Sequence, residues 1–296
     1  MIAFAYYGGK QTHLKDILPL LPRAKHYVEP FCGSAAVLLN RMPSQIETIN
    51  DLNGDIVGFF ETLRLYPEKL IELLTLTPYS RQEFIDAWQP SDDPIENARR
   101  LFIRIQMDYA KAGHKKDRGW STNVKYCPGE HSSAVKNFMT KIPGLLEVSA
   151  RLRSVQIENR PALMVIKKYD TVDTLFYCDP PYLPSSRTSH NDYKFEMDVQ
   201  QHRELATALN QVSGKVALSG YDDPLMDEFY PAGSWRKNVF DQKEVPMSRG
   251  KGLKRQECLW TNYDPFKQKG QLEIFDNHND FGMLHSSDFA TGAYDD

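Results

Sequence analysis

Apolar positions follow two regimes along the chain. In the first, short apolar runs alternate with amphipathic stretches. Leu14, Ile17, Leu18 and Leu21 have helical spacing, residues 27–39 read as a short strand, a turn of small residues and a helix carrying Val37, Leu38 and Leu39, and residues 46–49 read as a second strand. The regime resumes with strands at 154–158, 175–178 and 215–219, helices at 162–166 and 202–209, and two last strands at 235–240 and 257–262. In the second regime, residues 58–156, strand-like alternation is scarce. Residues 59–63, 70–74, 84–88 and 100–109 have helical spacing, and Pro67, Pro78, Pro90 and Pro94 punctuate them. Strands alternating with helices predict an α/β fold with a doubly wound, mostly parallel sheet. Its parts are expected to be a sheet domain made of residues 1–57 and 157–263, a helical insertion at 58–156, and a tail at 264–296.

The stretch with most chemistry is residues 175–182, LFYCDPPY. Its apolar run reads as a buried parallel strand, and the prolines cannot donate to a sheet ladder, so the strand stops at Asp179. An acid, stiff backbone carbonyls and a flat ring are thereby fixed at a strand's carboxyl end, where open α/β sheets bind ligands. Such a site suits a planar amine. Cys178, next to the acid, should point to the opposite face of the sheet and serve packing.

Two further turns share this placement. Residues 33–36, GSAA, let the backbone approach a ligand at a helix N-terminus, without the spacing of a dinucleotide fingerprint. Asp51 closes the second strand, where an acid binds ribose hydroxyls; the alternative is an N-cap for the following helix. At the N-terminus, residues 6–10, YYGGK, combine close backbone approach with a cation, or form a tight turn before a surface helix.

The composition, 41% hydrophobic and 25% charged, provides for a sizeable core. No apolar run reaches the ~20 residues of a membrane span, and the N-terminus lacks the basic start of a signal peptide. Cys32, Cys127, Cys178 and Cys258 show no C-x-x-C spacing, which argues against bound zinc and a disulfide framework and for a reducing compartment. The net charge of −3 conceals an asymmetry, because residues 264–296 hold two lysines against seven acids and leave a slightly basic body. Within that body, Lys111, Lys115, Lys116, Arg118 and Lys125 surround Trp120 in a segment suited to phosphate contacts, with the indole free to stack or wedge, or else tucked into the core. Residues 248–255, SRGKGLKR, are a second phosphate candidate or a plain hairpin connection. Residues 184–193 have turn composition, expected to be mobile, and the acidic tail is expected to be weakly ordered.

Taken together, these motifs resemble the Dam-like (D12 class) adenine-N6 DNA methyltransferases. Residues 6–10 are similar to that family's W-x-G-G-K motif, with Tyr6 for tryptophan. Residues 29–36, EPFCGSAA, are similar to its F-x-G-x-G motif, with Ala35 for the second glycine. Residues 50–51, 179–182 and 255–260 are similar to its ribose-binding acid, catalytic motif and C-terminal strand. The resemblance implies a Rossmann-like fold using S-adenosylmethionine, in the order cofactor motif, target-recognition insertion, catalytic motif. It implies methyl transfer to N6 of an adenine flipped out of double-stranded DNA. Asp179 and the Pro180 carbonyl would accept the amine's hydrogens, and Tyr182 would stack on the base. Tyr6, Lys10, Phe31, Gly33, Asp51 and Asp179 would contact the cofactor, and Lys111, Lys115, Lys116, Arg118 and Trp120 the DNA. No metal is expected. A cytoplasmic enzyme, monomeric or dimeric, with or without a cognate restriction enzyme, fits this resemblance. Two rivals stand beside it: a ribosomal-RNA guanine-N2 methyltransferase and a DNA-binding regulator without activity.

Overall fold

The computed structural model describes residues 1–6, 8–109, 119–122, 132–184, 194–240 and 256–267. Lys111, Lys115, Lys116, Arg118 and Lys125, residues 185–193 and 248–255, and the tail beyond 267 lie outside the described residues. The chain opens with a 3-10 turn at Lys10–His13, one α-turn (α1, Leu14–Ile17) and a 3-10 turn at Leu18–Leu20. The single helix expected here is cut short, because Pro19 and Pro22 remove amide donors from its second half. Then follow β1 (His26–Glu29), α2 (Ala36–Asn40) and β2 (Ile46–Asn50).

A run of helices comes next: α3 (Gly54–Leu65), α4 (Pro67–Leu76), α5 (Arg81–Asp86), α6 (Pro94–Met107), α7 (Ser133–Met139) and α8 (Leu145–Leu152). Their starts are written locally. Asn53, Ser80, Asp93 and Ser132 cap α3, α5, α6 and α7 through their side chains, and Pro67 and Pro94 open α4 and α6. The chain returns to the sheet with β3 (Val155–Glu158), α9 (Ala162–Tyr169), β4 (Thr174–Cys178), α10 (Val199–Leu209), β5 (Lys215–Tyr221), α11 (Pro224–Phe229), β6 (Arg236–Val239) and β7 (Glu257–Thr261).

The described strands form one seven-stranded sheet in the order β3-β2-β1-β4-β5-β7-β6. Strands β3 to β5 are parallel, and β7 runs antiparallel between β5 and β6. The order reverses between β1 and β4, so their carboxyl ends diverge there and leave the crevice in which such sheets hold ligands.

The pleat sorts side chains between two cores. Leu175 and Tyr177 face one core with Tyr27, Ile49 and Leu259, while Phe176 and Cys178 face the other with Val216 and Trp260. Cys178 thus packs away from the acid beside it, as the period-2 argument requires. The first core continues without a break into Phe59, Phe60, Phe102 and Leu145 of the helical run. Helix α3 lies against β3 with α6 and α8 packed on it, on the side of the first core, and α9, α10 and α11 belong to the second core on the other face.

A buried ion cluster locks the helical layer to the sheet. Glu47 of β2 accepts from Arg151 of α8 at 2.8 Å and from Arg41 at 3.1 Å, with the carboxylate only 2% exposed. Arg151 also reaches the Leu38 carbonyl. Removing one member of such a cluster leaves buried charge uncompensated. Glu47→Ala is expected to lose about 3–5 kcal/mol of stability, read as a lower urea midpoint with an unchanged slope. A midpoint equal to that of the parent would show that the arginines find solvent instead.

Candidate active site

The crevice at the switch point is shaped first by the turn after β1. Cys32 donates to the Asn50 carbonyl at 2.8 Å, and Ala35 to the Cys32 carbonyl, which folds residues 32–35 back over the ends of β1 and β2. Gly33 has φ +48°, and a Cβ there would stand 3.2 Å from the Tyr6 ring, so both the backbone and the close approach of that ring require glycine. Ala35 is also left-handed, with φ 52° and ψ 32°. This is where the resembled motif has its second glycine, and an L-residue held there stores about 1–2 kcal/mol of strain.

Asp51 fixes the same turn from β2. One carboxylate oxygen accepts from the Gly33 amide at 2.9 Å and the other from the Asn53 amide at 2.8 Å. Burial raises its pKa, opposed by these two amides and by Lys194. The helix-cap alternative for Asp51 is displaced, because the Asn53 side chain caps α3 instead. Lys194 extends to the Asn53 side chain at 3.0 Å and to Asp55 at 3.1 Å, and Asp55 also meets Arg104 of α6.

The opposite wall is the end of β4. The Lys10 ammonium lies 2.8 Å from Asp179 Oδ1 and 3.6 Å from Glu257 Oε1, and is itself only 5% exposed. It also donates to the Gly8 carbonyl at 2.8 Å. Burial alone would lower its pKa, but Asp179 and then Glu257 outweigh that and hold it above the ordinary lysine value, so the group is a cation. Burial raises the Asp179 carboxyl, Lys10 opposes this, and Glu257 adds to it. The Tyr182 hydroxyl donates to Glu257 Oε1, its ring lies under Lys10 at 4.8 Å, and the Tyr221 ring meets it edge-on at 4.7 Å.

Tyr6, Lys10, Phe31, Gly33, Asp51 and Asp179 thus come together on one cleft. Leu163 and Phe195 line it as well. Pro180 and Tyr182 line a small interior hollow beside it with Tyr221, and Tyr182 is only 5% exposed. Trp120 is elsewhere. It packs on the helical core against Tyr79, with ring centroids 5.7 Å apart and the Arg81 guanidinium 4.8 Å above it, which is the tucked-in alternative rather than a free wedge. The Tyr109 amide donates to the Gly119 carbonyl and the Ser121 amide to that of Met107, so residues 107–109 and 119–121 lie side by side beyond α6. Among the described residues, no group of three or more His, Cys, Asp or Glu side chains could hold a metal, and no helix is long and apolar enough to cross a membrane.

Two acids were not singled out from the sequence. Glu29 ends β1 as Asp51 follows β2, so the same signal was present in the strand-end acid. Glu257 opens a fully buried strand and is followed there by Cys258, Leu259 and Trp260. Glu29 accepts from the Tyr27 hydroxyl at 2.7 Å and the Leu38 amide at 2.6 Å while lining the cleft.

A sheet reversing at its centre, with an Asp-Pro-Pro-Tyr turn on one side of the break and a glycine turn on the other, defines a methyltransferase cleft. The chain matches the model of the D12 class N6 adenine-specific DNA methyltransferases over residues 6–243, and it belongs to that family. It is 27% identical to the type II methyltransferase M1.LlaDCHI of Lactococcus lactis subsp. cremoris over 273 residues, covering 86% of this chain and 93% of that protein. It is 24% identical to the DNA adenine methylase of Escherichia coli K12 over 277 residues, covering 87% and 93%. It is 28% identical to the DNA N-6-adenine-methyltransferase of Escherichia phage P1 over 265 residues, covering 82% of this chain and 33% of that longer protein. The protein is a site-specific adenine DNA methyltransferase, and the ribosomal-RNA reading is set aside. Its target amine is stacked inside a duplex, so the base must flip out to react.

Burial pushes the Glu29 carboxyl up to about 8, against the hydrogen bonds from Tyr27 and Leu38. The folded state then holds a proton that the unfolded chain releases above its ordinary value of 4.5. Stability from this group is full below that value and falls as pH rises to about 8. Glu29→Gln, which mimics the protonated acid, should gain melting temperature relative to the parent between pH 5 and 8. A constant difference across that range would show that Glu29 is ionised throughout.

Proposed function

We propose that the cleft binds S-adenosylmethionine and that Asp179, with the Pro180 backbone carbonyl, orients the adenine N6 amine for direct methyl transfer. The observation that carries this reading is the common cleft: Asp179, held by a buried cation, faces the same space as Asp51 and Gly33. The donor set fits a charged nucleoside. Asp51 is locked by two amides with lone pairs left for ribose hydroxyls, Phe31, Leu163 and Phe195 offer apolar surface to a base, and Glu29 lies on the inner wall. Tyr6 closes the pocket over Gly33, and Lys10 stands at the reacting end. When bound, the cofactor supplies an electrophilic methyl group on its sulfonium.

The chain supplies position and electrostatics. The lone pair of adenine's amine is delocalised into the ring, so the nitrogen is a poor nucleophile. Two acceptors on its two hydrogens, Asp179 and the Pro180 carbonyl, draw that lone pair out of conjugation and aim it. Nitrogen gains the methyl group and gives up one proton. Tyr182 is assigned to the flipped base in the DNA-bound state, since stacking needs its ring uncovered.

We assign DNA recognition to residues 58–156, inserted between the catalytic parts 1–57 and 157–263. The support is chain order and charge: the helical run stands between β2 and β3, and Lys111, Lys115, Lys116 and Arg118 follow exposed Tyr109 in the sequence. Phosphate contacts by these residues make binding salt-dependent.

Asp179→Ala should cut single-turnover methylation of duplex DNA by at least about 10²–10⁴-fold while DNA binding persists; near-parental methylation would refute the assignment. Asp51→Ala should weaken cofactor binding strongly, and calorimetry that returns the parental Kd would count against the ribose role.

A further inference from the structure

Glu257 is the one acid of β7, and nothing in the cleft chemistry above uses it. We propose that Glu257 is a positioning residue for methyl transfer, holding Tyr182 by its phenol and sharing Lys10 with Asp179 so that the catalytic turn is fixed from behind. This rests on Asp179 and Tyr182 being the reaction centre.

The geometry is a chain of four side chains. The Tyr182 hydroxyl donates to Glu257 Oε1, the same oxygen faces the Lys10 ammonium at 3.6 Å, and that ammonium holds Asp179 Oδ1 at 2.8 Å. Glu257 is 9% exposed, so the contact is not a solvent-screened surface pair. Its backbone is set by antiparallel pairing with β5, where Glu257 is directly opposite Tyr221, the residue whose ring packs on Tyr182. The last strand thus reaches the Asp-Pro-Pro-Tyr turn twice, through Glu257 and through the ring of its pairing partner. An aromatic ring alone could be phenylalanine at position 182. The phenol gives the motif a fixed tether that phenylalanine would lack.

Glu257 also sets the charge balance. One cation, Lys10, stands between two acids, and Tyr221 adds to the negative field on it. Asp179 is faced by Lys10, Glu257 and Tyr182, and its field reaches Glu29 and Tyr177. Glu257 raises both the Asp179 carboxyl and the Lys10 ammonium. Neutralising it should lower both. A rate that needs ionised Asp179 on the acid limb and charged Lys10 on the basic limb then moves to lower pH on both limbs. A purely structural role would cost stability without moving the profile in this way.

The test is single-turnover methylation of duplex DNA across pH, with cofactor Kd by calorimetry. Glu257→Gln is expected to slow transfer by about 10²-fold, to shift both limbs to lower pH, and to change cofactor affinity little. Tyr182→Phe removes the tether from its other end, and the double variant should be no slower than the slower single one within about twofold. Glu257→Asp keeps the charge but withdraws it from the phenol, so it should lose rate with an unmoved pH profile; it also serves if Glu257→Gln does not fold. A parental rate and profile in Glu257→Gln, or losses that multiply in the double variant, would overturn the proposal. Asp179→Ala, run alongside, separates the failures: if it is inactive, only the role of Glu257 falls, and if it is active, the reaction centre itself is misplaced.

Discussion

A lysine ammonium shut away from water between two carboxylates is the interaction on which the site depends. An isolated buried charge is strongly disfavoured, and one paired with a single acid can still be a net loss after desolvation. Lys10 is 5% exposed and has Asp179, Glu257 and the Gly8 carbonyl around it. Those partners come from the first ten residues, the end of β4 and the last strand. The cation therefore draws together three parts of the chain that share no local sequence. It also keeps an aspartate usable as an acceptor in a place where burial would otherwise favour its neutral form.

The sheet makes this convergence possible. Because β1 and β4 are adjacent while their connections run in opposite directions, the turns that follow them cannot cover the crevice between. Glu29 and Asp179 stand on the two sides of that gap. β7 enters antiparallel next to β5, which brings Glu257, at the start of β7, to the same carboxyl-end edge as Tyr221, the last residue of β5. A parallel strand in that place would have put its first residue at the far edge of the sheet. The antiparallel pairing of β7 with β5 is what brings a last acid to the Asp-Pro-Pro-Tyr turn.

Much of this was legible in the sequence where the cause was local. Asp51 and Asp179 each follow an apolar run, Gly33 stands among small residues, and Pro180 ends a strand that has to end. The strands between residues 26 and 221 follow from periodicity for the same reason. What failed had causes elsewhere in the chain or in competing local signals. Pro19 and Pro22 shorten the opening helix, although its apolar spacing is sound. Asp223 caps α11 and Pro224 occupies its first turn, but a helix of six residues is too short to show a periodicity. Trp120 reads as available because the charge around it is local, while Tyr79, the ring that takes it into the core, is far away in sequence. Glu257 looks like one more strand residue until residues 10 and 182 are placed beside it.

The continuity of the first core ties the helical run to the cleft. Among the described residues, the helical run and the sheet share one apolar interior: Phe59, Phe60 and Phe102 pack in one cluster with Phe4, Tyr27 and Leu175. Close-packed interiors transmit displacement instead of absorbing it. Asn53, two residues after Asp51, caps α3, and Asp55 in the first turn of that helix meets both Arg104 of α6 and Lys194 beside the cleft. A load on α6 therefore meets the cleft through α3 and the two ion pairs of Asp55. In this fold the helical layer and the wall of the cleft meet at the start of α3.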